Sequence, residues 1–283
     1  MTEEEQPAAP VPEPAPEGVT ELAAEPEPAP GPTAEEIEAA NNASVEADLH
    51  RRSRRGFIVA GVAAAAGLGS WKWLNSRPRE GGVPWPYRRV LEFNERLSGA
   101  IFSPKRLSPT YDESRVTRPA RINGGIGLTP NVDLENWRLN IEGATSLVTL
   151  TLDDIRALPR RELTTELRCI EGWNIIVHWT GALFSDLMEK YPPPQPVRYV
   201  SMETPGRGYY VGLDIASAQH PQTLLAYALN GEPLTWQHGA PLRLAIPVKY
   251  GVKNLKRIGT IRYTNVRPAD YWAEQAYDWY CGH

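Results

Sequence analysis

Leu167 to Gly181 reads LRCIEGWNIIVHWTG and carries Cys169, one of only two cysteines in the 283 residues. The thiol stands between the polar pair Glu166–Arg168 and the pair Gly172–Trp173, and a bulky apolar run ending in Trp179 and Gly181 follows. A lone cysteine is usually a small buried hydrophobe. These flanks fit a different use. A thiolate that ligates a soft metal needs fixed geometry, a shielding wall and nearby positive charge to keep it deprotonated. Arg168 offers the charge, Trp173 and Trp179 the wall, and Gly172 room for close backbone approach. Upstream, Arg161 to Arg168 reads as a strand that delivers Cys169 at its end.

Outward from this stretch, charge divides the chain. Residues 1–50 hold thirteen carboxylates and no Lys or Arg, whereas the remainder balances at +9, for a net charge of −4. The basic part favours an anionic ligand or an acidic partner. Two distant cysteines make no disulfide framework, and no C-x-x-C, C-x-x-C-H or zinc-finger spacing occurs. Any metal centre must therefore use few protein ligands or arrive inside a cofactor. Residues 1–50, rich in Pro and Glu, read as a disordered extension with at most a transient helix over Ala34 to Ala40. Residues 51–74 follow as a basic segment and the Ala/Gly-rich run Val59 to Gly69, the layout of an export signal. Ser53-Arg54-Arg55-Gly56-Phe57-Ile58 is similar to a twin-arginine motif. The apolar run is short for a transmembrane helix. No clean cleavage site follows and Trp71-Lys72-Trp73 looks interfacial, so residues 51–74 are expected to be either a twin-arginine signal or a retained membrane anchor. Residues 75–119 read as a loop-rich wrapping segment.

Regular structure is expected from Asn136. Trp137–Ile141 and Val148–Leu150 read as strands, and Thr151–Leu158 as a helix capped by Thr151. Ser185–Lys190 is a short helix, Val197–Met202 and Gly208–Leu213 are strands, and Asp214 opens a helical turn. Pro221–Tyr227 reads as helical, before a tight turn at Asn230-Gly231. Short strands with interspersed helices and no βαβ rhythm predict a mixed-sheet α+β fold in a single domain over 120–283.

His238-Gly-Ala-Pro-Leu-Arg243-Leu-Ala-Ile-Pro247 alternates, burying Leu242, Leu244 and Ile246 and turning Arg243 to the other face. Lys249, Lys253, Lys256 and Arg257 follow, and no carboxylate occurs between Glu232 and Asp270. Such a run is usually a solvated face or a nucleic-acid patch. Tight Gly–Pro punctuation and the export signal argue against nucleic acid and for a gripped phosphate.

The spacing C-x-x-G-W-x5-W-x-G around Cys169 resembles the cofactor-cysteine segment of the sulfite oxidase superfamily of molybdenum–molybdopterin enzymes. The His238–Pro247 and Tyr250-Gly-x-Lys-x-x-Lys256 stretches resemble that family's phosphate-binding pattern. The resemblance covers residues 120–280. It implies a molybdopterin-binding oxidoreductase with Cys169 as the metal ligand. It also implies Asn123, Thr204, His238, Arg243, Asn254 and Lys256 as cofactor-binding residues. Glu171 is a candidate catalytic acid, against a plain surface pairing with Arg168; Tyr250 and Trp173 either line the pocket or simply pack. Sulfite-oxidising members resemble one another in an arginine shortly after the cysteine. Here that region is Ile170-Glu171-Gly172-Trp173-Asn174, and like-charge repulsion from Glu171 disfavours a dianion. The resemblance therefore implies oxygen-atom transfer on a small S-oxide-type substrate, as in the bacterial methionine-sulfoxide reductase branch. Sulfite oxidation and a metal-free exported binding domain are the alternatives. With no haem site, electrons are expected from a separate cytochrome or quinone-linked membrane haem protein. The chain ends at Cys281-Gly282-His283 without the family's dimerisation domain, so a monomer is expected. The twin-arginine machinery would deliver it to the periplasm.

Overall fold

The computed structural model describes residues 33–131 and 133–283. Contacts divide the chain into Met1–Gly67 and Leu68–His283. Residues 1–32 of the acidic extension lie outside the described residues. From Ala34 the chain forms one exposed helix, α1 (Ala34–Asn75), so residues 34–50 are helical rather than unstructured. Ala, Glu and Arg are strong helix formers, which explains a helix with no packed face. Over Glu38–Asn75 it is long and apolar enough to cross a membrane, judged by length and composition alone. The run Val59–Gly69 is short by itself, but the helix continues through Trp73.

β1 (Arg79–Glu80) and β2 (Val83–Pro84) pair across Gly81–Gly82, and α2 (Trp85–Ile101) follows with Pro86 in its first turn. This helix corrects the loop-rich reading of 75–119. Proline suits the first turn, where its missing N–H has no intrahelical acceptor anyway.

In chain order the remaining elements are β3 (Leu139–Glu142), β4 (Val148–Leu150), α3 (Leu152–Arg156), β5 (Arg160–Arg168), β6 (Asn174–Leu183), α4 (Phe184–Lys190) and β7 (Tyr199–Glu203). Then come β8 (Tyr210–Asp214), α5 (Ile215–Ala218), β9 (Leu224–Leu229), β10 (Glu232–Pro233), β11 (Arg243–Ala245) and β12 (Thr260–Thr264). One sheet runs β10-β9-β6-β5 with β11 also on β9; the other runs β4-β3-β12-β7-β8. All their pairings are antiparallel except β12 on β3. Thr151 and Asp154 close a capping box on α3, and Asp214 caps α5.

β9 replaces the helix expected over Pro221–Tyr227. Leu-Leu-Ala-Tyr-Ala-Leu carries good helix formers, but β6 and β11 flank it and both its faces are covered, so pairing and burial override propensity. Asn230 and Gly231, both at positive φ, make the primed turn into β10. At Gly181 a Cβ would fall 2.3 Å from the Leu225 carbonyl, so only glycine lets β6 and β9 approach where their register shifts.

The first sheet separates the main core from a cavity. Leu225, Leu242, Leu244 and Ile246 join Leu139, Ile141, Met202 and Ile261 in the main core, each fully buried. Leu224, Ala226, Val177 and Trp179 lie in a second cluster. Each fully buried Leu or Ile contributes roughly 1.5–3 kcal/mol.

A buried ion pair ties the C-terminal segment to the second sheet. Lys253 Nζ donates to Asp270 Oδ2 at 2.5 Å and to the Gly212 carbonyl at 2.8 Å. Asp270 also accepts from the Gly212 and Ala273 amides. Asp270→Ala leaves an uncompensated buried ammonium and two unpaired amides, so it should cost about 3–5 kcal/mol. Urea titration followed by circular dichroism should show the fall in midpoint, and adding Lys253→Met should restore only part of it.

Candidate active site

β5 and β6 form a hairpin nine residue pairs long, from Arg160↔Ala182 to Arg168↔Asn174. Its tip is Cys169–Trp173, closed by Cys169 N–H donating to the Trp173 carbonyl and Gly172 N–H donating to the Cys169 carbonyl. Gly172 sits at φ +87° with open space where a Cβ would be. It is therefore required by the left-handed turn, not by close approach as its place in the sequence had suggested. Ladder register thus sets the thiol's position.

Cys169 opens onto a cleft of about 1020 Å³, counted to its solvent opening. Seven of the eight residues expected at the site line it: Asn123, Cys169, Glu171, His238, Arg243, Asn254 and Lys256. The eighth, Thr204, does not. Its hydroxyl is buried and bonded to the Tyr209 amide at 3.0 Å, fixing the turn before β8.

Arg243, on β11, is buried and lies 4.7 Å from the Trp179 ring centroid. Its guanidinium donates to the His238 and Asn254 carbonyls at 2.9 and 3.3 Å. Lys256 Nζ donates to the carbonyls of Asn123, Gly124 (3.0 Å) and Gln237 (2.7 Å). Neither cation pairs with a carboxylate among the described residues. Burial pushes Lys256 down to about 7 and Arg243 down to about 10. Burial, then Arg243 and Lys256, also lower His238. Its Nδ1 is bonded to Thr235 Oγ1 at 2.9 Å, while its buried Nε2 has no partner among the described residues. Asn254 spends its amide within the fold, accepting from the Ile246 amide and donating to the Tyr250 carbonyl.

Around the thiol, Asn123 Nδ2 points at Cys169 Sγ at 3.6 Å. Burial raises the thiol pKa and the Glu171 charge adds to this, whereas the backbone amides of Glu171 and Ile170 and, least, Arg121 lower it. Arg168, expected to supply positive charge, instead pairs with Glu166 at 2.7 Å. Glu171 accepts from Trp173 Nε1 at 2.8 Å rather than pairing with Arg168, and Arg121 stacks 4.8 Å from the same indole ring. Tyr250 does not line this cleft but borders a neighbouring hollow with Cys169 and Trp173, its ring 5.0 Å from that of His283. The Lys249–Arg257 run is also divided. Lys249 faces Asp214 and the Tyr280 ring, Lys253 faces Asp270, and Arg257 holds Ala240 and Thr129, leaving Lys256 for the cleft.

Sequence reasoning missed Ile126, Tyr209, Trp272 and Tyr277, which complete the wall with Ile170 and Trp173. The aromatic density of Tyr271-Trp272 to Tyr280 was the available signal.

These residues fit an anionic cofactor that brings its own metal donors. Two desolvated cations lack a counter-anion, an imidazole nitrogen lacks a partner, and one thiol opens on the same cleft. No group of three or more His, Cys, Asp or Glu able to hold a metal occurs among the described residues.

The electrostatics set a pH dependence for the cofactor-free protein. Lys256 and Lys249 titrate near 10.5 when unfolded and near 7 when folded, so above pH 7 the unfolded chain binds more protons. The contribution of these two lysines to stability should therefore rise from about pH 7 to about pH 10.5. Lys256→Met should roughly halve that slope, since Lys249 still contributes, as read by urea midpoints at each pH.

Comparisons with known proteins agree with this geometry. Residues 126–272 match the family described as "Oxidoreductase molybdopterin binding domain". The chain is 36% identical over 196 residues to a protein of Azospira oryzae named as a putative protein-methionine-sulfoxide reductase subunit, YedZ1, covering 68% of this chain and 74% of that one. It is 36% identical over 172 residues to the protein-methionine-sulfoxide reductase catalytic subunit MsrP of Xanthomonas campestris, covering 55% of this chain and 52% of the relative. The Campylobacter jejuni MsrP is 32% identical over 168 residues, 53% of this chain and 57% of that one. The chain thus spans about half the length of the MsrP relatives it matches. Among solved structures, the sulfane dehydrogenase SoxCD of Paracoccus pantotrophus aligns over 48% of this chain and 40% of that one, with 18% identity and a TM-score of 0.46. The chain belongs to the oxidoreductase molybdopterin-binding domain family and is an enzyme of the sulfite oxidase superfamily whose cofactor is molybdenum–molybdopterin.

Proposed function

We propose that the enzyme reduces a neutral S-oxide, with methionine sulfoxide as the substrate class. Each turnover consumes two protons and two electrons, breaks the sulfur–oxygen bond, and yields one thioether and one water. The observation that carries this reading is the cleft rim. Ile126, Ile170, Trp173, Tyr209, Trp272 and Tyr277 make it apolar and aromatic, suited to a thioether side chain. The two charges there, Arg121 and Glu171, both engage the Trp173 indole and offset each other. With Arg243 and Lys256 taken up by the cofactor's phosphate, the rim would offer a dianion no unbalanced cation. The names of the YedZ1 and MsrP relatives point the same way.

When bound, the cofactor supplies a two-electron oxygen-atom-transfer centre. Cys169 would ligate its metal, and the Asn123 amide beside Sγ would fix the sulfur's orientation. Arg243, Lys256 and the free Nε2 of His238 would hold its phosphate by charge-assisted hydrogen bonds. Asn254 would act through its carbonyl, which anchors Arg243. Electrons would arrive from a separate cytochrome or quinone-linked membrane protein. Export by the twin-arginine route, with α1 retained as a tether, would place the enzyme at the periplasmic face of the membrane; a monomer suffices for the chemistry. Sulfite oxidation has one feature in its favour, the Arg121 guanidinium on the cleft wall.

Activity assays separate the two readings. Holoenzyme should oxidise a reduced viologen dye with methionine sulfoxide and should not reduce cytochrome c with sulfite; the reverse pattern would establish the sulfite reading. Cys169→Ser should stay folded and pterin-bound but lose sulfoxide reduction. Cys281→Ser should be nearly silent, because that thiol only donates to the Asp278 carbonyl.

Arg243→Ala should weaken cofactor retention by about 1.5–3 kcal/mol, roughly 10- to 150-fold. Pterin fluorescence released from purified protein measures this, and wild-type occupancy would assign Arg243 another role.

A further inference from the structure

Helix α2 is amphipathic in the inverse sense. Its apolar stripe Val90, Phe93, Leu97 and Ile101 recurs at helical spacing, yet these residues are 58, 59, 55 and 66% exposed. The helix is fastened to the body by polar groups instead. Arg88 donates to the Ala273 carbonyl at 2.8 Å, and Glu95 pairs with Arg267 at 2.5 Å. An apolar stripe of three turns left open on a folded surface marks a site of association.

We infer that this stripe lies in the headgroup region of a lipid bilayer. Two observations select lipid as the occupant. Shortly before α2, α1 ends with exposed Trp71 and Trp73, the residue type that sits at membrane–water interfaces, on a helix able to cross a membrane. From Lys72 to Arg96 the chain carries six basic residues against three acidic ones, which complements anionic headgroups. The inference rests partly on the proposed tether and gives it a consequence. The Ala273 carbonyl held by Arg88 is adjacent to Trp272 on the cleft wall, so an interfacial α2 would hold that rim near the membrane surface, within reach of a membrane-embedded electron donor.

The test uses the full chain with an environment-sensitive NBD fluorophore on cysteines introduced at Phe93, Leu97 or, as a control, exposed Leu147, the two native thiols being buried. Vesicles of phosphatidylethanolamine and phosphatidylglycerol should shift the emission at 93 and 97 to the blue, with quenching by brominated acyl chains, and leave 147 unchanged. Changing Val90, Phe93, Leu97 and Ile101 together to Ser should abolish the shift at Trp85→Cys without altering circular dichroism. Labels at 93 and 97 that stay aqueous while the chain floats with vesicles would overturn the inference and leave the tether standing. Failure to float in high salt, with the blue shift kept at low salt, would remove the tether and leave α2 as a peripheral contact. A shift that needs only concentrated protein, or only a co-reconstituted membrane haem protein, would overturn lipid in favour of a second copy or a protein partner.

Discussion

Two positive charges are held inside this protein by backbone carbonyls and, for Arg243, the Trp179 ring, with no carboxylate beside them among the described residues. Arg243 and Lys256 are anchored by the carbonyls of His238, Asn254, Asn123, Gly124 and Gln237. Carbonyl dipoles orient a cation but do not neutralise it, and the effective penalty for taking an ion out of water is several kcal/mol. A bound anion removes that deficit. The same carbonyls pull chain segments around 123, 237 and 254 onto one point. The anion would therefore act as a keystone for these segments as well as a ligand, and cofactor loading would be coupled to the order of the cleft. Such a coupling would suit the proposed twin-arginine export, a route that carries proteins already folded.

The metal-binding end of the site is built on a different principle. Cys169 is placed by a long antiparallel ladder and a tight loop, so the β5–β6 register determines where the sulfur points. Local support for the thiolate comes from the loop's own amides, those of Glu171 and Ile170, and is outweighed by burial. Burial raises the thiol, and the nearest guanidinium in sequence, Arg168, is committed to Glu166. The charge that acts on it comes from Arg121, on a segment that precedes both large sheets. In the proposed reading the thiolate would be stabilised chiefly by the metal, which deprotonates a coordinating thiol outright. The cationic end and the thiol end of the cleft are thus built independently, one by charge without counter-charge, the other by rigid geometry.

Much of this was legible in the sequence where chemistry and periodicity agreed. The alternation of Leu242, Leu244 and Ile246 around Arg243 translated directly into core on one face of β11 and cleft on the other. The strand ending at Cys169 and the capped helix after Thr151 behaved likewise. What was hidden depends on long-range partners. The basic run 249–257 could not reveal that Lys253 is absorbed by Asp270 and Lys249 by Asp214, both far along the chain. β9 was hidden because Leu and Ala suit a helix as well as a doubly buried strand, and only its neighbours decide. Thr204 was carried over from a resemblance and stands off the cleft, its hydroxyl satisfied by Tyr209.

Helix α2 exposes the limit of periodicity as an argument. A stripe at 90, 93, 97 and 101 tells which residues share a face, and the usual inference is that this face is the buried one. Here the body of the enzyme takes the opposite face through Arg88 and Glu95, although an exposed apolar stripe gains nothing from water. An ion pair that is only partly buried contributes little by itself, so docking through charges is a weak way to fasten a helix. It is reasonable only if the apolar face has a better solvent than water available. For a chain whose preceding helix is able to cross a bilayer, that solvent is the membrane interface, and burying the stripe against the body would forfeit it.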